Sequence, residues 1–223
     1  VTTSSLDYNP LLTHTIDSKT RRKTMRCRIL VATVLVTFAA TFSFGADDPK
    51  AKAAADQAAM EAMMKAATPG DAHKKLSGMV GTFTTDVKMW MAPGAPPAAG
   101  GGVSENTWAL DGRFVEQHFD GNFMGMPFHG IGYTGYDNIK KHYVGTWMDN
   151  MTTSVMVSSG TASADGKSIT FMSTMDDPMT GKSSPVKETV TVVDADHHTL
   201  EMWMAGPDGK MFKTMEIAYS RKK

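Results

Sequence analysis

From Gly81 to the end of the chain, apolar and polar side chains alternate with a period of two, the mark of strands that bury one face. The alternation predicts ten strands: 82–91, 103–110, 113–121, 127–136, 142–149, 152–161, 168–176, 185–194, 198–205 and 210–220. Turn chemistry separates most of them, as at Asp111-Gly112, Tyr136-Asp137-Asn138, Asp165-Gly166 and Pro207-Asp208-Gly209. Connections this short join antiparallel neighbours, because parallel neighbours need a crossover of roughly a dozen residues or more. A meander of this length leaves two unpaired edges unless it curls shut. The pattern therefore predicts an all-β, up-and-down antiparallel barrel of about ten strands. The low-complexity stretch 93–102 predicts a flexible, solvated loop, with an overhang of one barrel end as the alternative.

Ahead of Gly81 the pattern is helical. Residues 49–68 are Ala-rich with Lys50, Lys52, Asp56, Glu61 and Lys65 interleaved, and Pro69-Gly70 ends them, which predicts an exposed helix. Its apolar face offers little beyond alanine and Met60, Met63 and Met64. A second short helix is expected from Asp71, as cap, to about Val80. This divides the chain into a helical linker, 46–69, and a barrel domain, 70–223.

Upstream, 25–45 reads as a secretory signal: a basic start at Met25-Arg26-Cys27-Arg28, an apolar run from Ile29 to Phe44, and small residues at Ser43 and Gly45. Cleavage is expected after Gly45. The run is shorter than the roughly 20 residues of a membrane-spanning helix, so the expectation is an exported protein, periplasmic or secreted, with no membrane span once processed. Residues 1–24 are polar and irregular in front of a signal with its own methionine, as a mis-called start or a disordered extension would be.

Charge and cysteine content remove two function classes. The formal net charge is zero, but six of the 23 basic residues and only two of the 23 acids lie in the first 45 positions. The chain beyond Gly45 is thus mildly acidic and has no basic stripe to displace counterions from phosphates, which argues against a nucleic-acid partner. Cys27, the single cysteine, falls inside the signal, so the processed protein has neither a disulfide nor a thiol nucleophile.

Several motifs are familiar in order and spacing: Leu110-Asp111-Gly112-Arg113-Phe114-Val115-Glu116, Gly125-Met126-Pro127-Phe128-His129-Gly130, Gly135-Tyr136-Asp137, Tyr143-Val144 with Trp147 and Asp149, and Met215-Glu216-Ile217-Ala218-Tyr219-Ser220-Arg221. Over roughly 69–221 they resemble the bacterial domain-of-unknown-function family 1579, which is similar to calycin-like barrels such as lipocalins and nitrobindins. The resemblance implies that fold and no established activity. Barrels of that group open with Gly-x-Trp on the first strand, covered by an Arg near the last. Gly81-Thr82-Phe83 and Arg221 stand in those places, with Phe83 where the pattern has Trp. An arginine over an aromatic face is a cation-π arrangement, so these residues are expected to close one end. The nitrobindin likeness would imply haem, but the closing strand has no histidine, and His197 and His198 fall in a preceding turn. No cofactor is expected.

A barrel of this size can hold one small ligand, so the leading expectation is a small hydrophobic guest in the lumen. Trp108, Tyr133, Tyr143, Trp147 and Trp203 are candidate lining residues, along with Phe119. Glu116 and His118 share a face at period-two spacing and are added to that site; they also suggest weak acid-base chemistry, although no nucleophile or metal signature accompanies them. Met89-Trp90-Met91 and Met202-Trp203-Met204 raise copper handling, since thioethers favour soft Cu(I), but methionine also fills cores, and no metal site is assigned. A structural or protein-interaction module of the cell envelope stands beside these readings. The sequence leaves the inward face of each strand undetermined, because a one-residue shift exchanges the faces.

Overall fold

The structure is a computed structural model that describes residues 48–178 and 180–223. The 1–24 extension, the 25–45 signal and Cys27 lie outside the described residues.

Helix α1, Pro49–Ala67, starts at Asp48, whose carboxylate accepts from the Lys50 backbone N–H at 3.0 Å. It ends at Thr68, whose hydroxyl donates to the Met64 carbonyl at 2.7 Å. None of its residues is buried, as its alanine-rich face implies. The short helix α2, Asp71–Lys74, runs into a 3₁₀ turn, Lys75–Met79. These two pieces carry the buried residues His73, Leu76 and Met79.

Ten strands follow: β1 Gly81–Met89, β2 Ala98–Ala109, β3 Phe114–Phe123, β4 Met126–Asp137, β5 His142–Asp149, β6 Met156–Ala162, β7 Ser168–Asp176, β8 Ser183–Val192, β9 His197–Ala205 and β10 Met211–Arg221. Each pairs antiparallel with the next, and β1 pairs with β10, so the sheet closes into a barrel. Closure leaves no open edge among the described strands, which is the physical reason for the topology.

Two boundaries differ from the expected pattern by more than two residues. Ala98–Gly102, expected as loop, forms the first part of β2 and pairs with β1 and, at its end, with β3. The backbones crowd here: a Cβ on Gly102 would sit 2.3 Å from the Asp120 carbonyl oxygen, so glycine suits the close approach. Strand β6 begins at Met156, not at 152, because the chain after β5 turns, with Met151 N–H donating to the Asp149 carboxylate at 3.0 Å.

The registers fix the inward face of every strand. Phe83 and Val87 on β1 set the parity, and the ladders carry it to Ile217 and Tyr219 on β10, Leu200 and His198 on β9, and Val190 on β8. One core cluster joins Leu76 and Met79 to Val115, Tyr143, Ile169, Phe171 and Val190. The 3₁₀ turn thus plugs one end of the barrel, with Leu76 fully buried. The other cluster groups Phe83, Val87, Phe119, Ile217 and Tyr219, with Met89, Phe128, Trp147, Leu200 and Met215 packed against it.

Candidate functional site

The plugged end is locked by one arginine. Arg221 pairs with Phe83 across β1 and β10, and its guanidinium carbon lies 4.6 Å from the Phe83 ring centroid. It donates to the Val80 carbonyl at 2.9 Å and to the Ala195 carbonyl at 3.0 Å. Gly81, at φ +135°, makes room: a Cβ there would lie 2.1 Å from an Arg221 nitrogen. Tyr143 supports the same end by donating its hydroxyl to the Ala72 carbonyl at 3.1 Å.

The opposite end differs in character. Met89, Met215 and Met202 are successive partners across β1, β10 and β9, all with inward parity. Met204, Phe128 and Trp147 share that parity, and all six are only half-buried. They make an apolar mouth. Trp147 lies flat on the wall, because a Cβ on Gly130 would come 2.2 Å from its ring. Its indole N–H donates to Asp149 at 3.0 Å, and Phe128 stacks beside it at 6.5 Å.

Between plug and mouth the lumen wall carries polar groups. Ser104 donates to Asn106 at 2.7 Å, Asn106 donates to the Met79 carbonyl at 2.7 Å, and Gln117 donates to Ser104 at 2.9 Å. Tyr219 stands beside Gln117 and stacks on His198 at 4.1 Å. Burial pushes the Tyr219 hydroxyl up to about 12, with the Glu188 charge adding to the shift. His198, expected in an exposed turn, lies instead within β9 and is buried, because its phase on the strand points it inward. Burial lowers it to about 4, helped by the Arg221 charge, so its ring is neutral at physiological pH. Its Nδ1, with Thr85 Oγ1 and Ser173 Oγ, is a buried polar atom without a hydrogen-bond partner among the described residues.

Glu188 is the most unusual of these groups. It faces inward between Val186 and Val190 on its own strand, with Phe171 and Met202 as cross-strand partners. No side chain among the described residues hydrogen-bonds or ion-pairs with it, and burial alone pushes its carboxyl up to about 7.

The residues marked from sequence divide into two sets. Tyr143 and Trp147 line the interior, as does Phe119. Trp108 shares the inward parity but stands at the rim, 38% exposed. Glu116, His118 and Tyr133 do not join the lumen: they alternate with the inward Val115, Gln117 and Phe119, or sit opposite them across β4, and so face outward. There Glu116 accepts from the Tyr133 hydroxyl at 2.9 Å and meets His118 Nε2 at 3.0 Å, contacts that hold its pKa down. Trp203 also faces outward, between the inward Met202 and Met204. It borders a shallow groove of about 450 Å³ with Trp90 and Phe212. Sequence reasoning missed Glu188, Gln117 and Tyr219. The available signal was the charge at an apolar phase in Val186-x-Glu188-x-Val190. Among the described residues, no group of three or more His, Cys, Asp or Glu could hold a metal ion.

A closed ten-strand antiparallel meander, plugged at one end by an arginine over a first-strand aromatic, defines a calycin-like barrel. The chain belongs to the family described as "Protein of unknown function (DUF1579)", whose model matches residues 68–221. Among solved structures it is similar to the crystal structure of Rv2717c from M. tuberculosis, at 14% identity and a TM-score of 0.53, covering 70% of this chain and 100% of that one. That likeness extends to the fold. No curated protein matches the sequence.

Proposed function

We propose that the barrel binds a small, mostly apolar molecule in its lumen, and that it does so as an exported protein. The carrying observation is the asymmetry of the two ends. One is sealed by Leu76, Met79 and Arg221; the other presents inward-facing Met89, Met202, Met204, Met215, Phe128 and Trp147 that are only half-buried. Apolar side chains that face a lumen yet keep accessible surface gain by covering it, at roughly 25 cal/mol per Å². Methionine suits such a mouth because its unbranched thioether adapts to guests of varied shape. The signal-like segment at 25–45 supports export.

The test is a titration of the processed protein with medium-chain alcohols, followed through tryptophan emission, to which Trp147 at the mouth contributes. Saturable binding is expected, weakened about tenfold or more by Met215→Asp, which sets an unpaired carboxylate at the entrance. A flat titration across the alcohol series would end this reading.

A further inference from the structure

The lumen contains an acid that no described residue neutralises. Glu188 lies in one lateral row of inward side chains that runs Met89, Met215, Met202, Glu188, Phe171 across five strands, from the mouth into the wall. Its neighbours along β8 are Val186 and Val190. The other ionisable side chains of inward parity on the strands are His198, Tyr219, Tyr143, Tyr136, Asp149 and Arg221. Of these only Arg221 is a cation, and its donors are committed to Val80, Ala195 and Asp196 at the plugged end. Lys213, the nearest lysine along β10, faces outward and is held by Glu201 and Glu216. Among the described residues, therefore, none supplies a counter-charge to Glu188.

A carboxyl in an apolar wall is costly when ionised, and an arriving cation relieves that cost. We propose that the lumen takes an amphipathic amine, its ammonium set against the Glu188 carboxylate and its apolar body running along Met202, Met215 and Met89 to the mouth. This rests on the lumen-binding reading and names the ligand class. An anionic amphiphile would bring a second negative charge beside Glu188 and is disfavoured. A neutral alcohol gains the apolar contacts alone. The Tyr219 hydroxyl and the Gln117 amide are the neighbouring polar groups that complete the floor of the site.

The experiment uses three probes of one chain length, decylamine, decanol and decanoate, titrated calorimetrically below their micelle concentrations into the processed protein and its Glu188→Gln variant. With the native protein near pH 8.5, the amine is expected to bind about tenfold or more tighter than the alcohol, and the decanoate weaker than both. Glu188→Gln, isosteric and freed of the charge in the apolar wall, is expected to keep alcohol binding and to bring the amine to within about threefold of it. Repeating the amine titration near pH 6 in buffers of different ionisation enthalpy should show release of close to one proton in the native protein and none in the variant. If decanol binds but the amine shows no advantage and no proton release, the amine assignment falls and lumen binding stands. If none of the three binds, both fall.

Discussion

At the residue scale, the lumen holds two titratable groups whose shifts oppose one another. Glu188 titrates at about 7 when folded against an ordinary 4.5, so the unfolded chain ionises first as pH rises. Its contribution is intact below about pH 4.5 and is lost as pH climbs through 7, on the order of 3 kcal/mol. Thermal melts of Glu188→Gln should therefore exceed the native protein at pH 8 and converge with it toward pH 4. His198, lowered to about 4 from 6.5, works in the other sense, since the unfolded chain takes up the proton first as pH falls. Replacing it with phenylalanine should flatten the loss of stability between about pH 6.5 and 4, read from the same melts. Gly81→Ala forces a methyl into the Arg221 guanidinium at a positive φ, and a loss of roughly 3 kcal/mol in denaturant unfolding is expected. The Gly81, Phe83 and Arg221 positions could be read from the family motif because each is fixed by a contact local to the ends of two paired strands. Glu116, His118 and Tyr133 were candidates on chemistry alone; nothing in their spacing tells an outward from an inward phase.

At the element scale, the strands were legible wherever side chains alternate, because burying one face imposes period two whatever the wider fold. The pattern misleads where tertiary structure overrides local preference. The glycine-rich start of β2 has weak strand propensity by itself, yet neighbours on both sides hold it in the ladder. Glu188 is hidden in the pattern for a related reason: a charged residue inside an alternating run looks like a solvent-facing position until closure encloses it. Helix α1 makes the opposite case. None of its residues is buried, and Asn138, donating to the Ala66 and Thr68 carbonyls, ties only its end to the barrel. Removing 49–67 should shift the melting temperature by no more than roughly 3 °C, whereas replacing Leu76 with alanine should cost about 3 kcal/mol by emptying the plug.

For the whole molecule, the ring is the unit of stability. No described helix is long and apolar enough to cross a membrane, and the strands find their partners in each other. The seam that completes this ring joins Phe83 to Arg221, the first strand to the last. Until β10 arrives, β1 must wait with a bare row of amide and carbonyl groups, and β9 with another. Folding should accordingly be slow for a domain of this size, on a timescale of roughly milliseconds to seconds, because its final contacts are among its most distant in sequence. A chain stopped before Met211 should fail to stay monomeric in light scattering, its orphaned margins pairing with those of other copies.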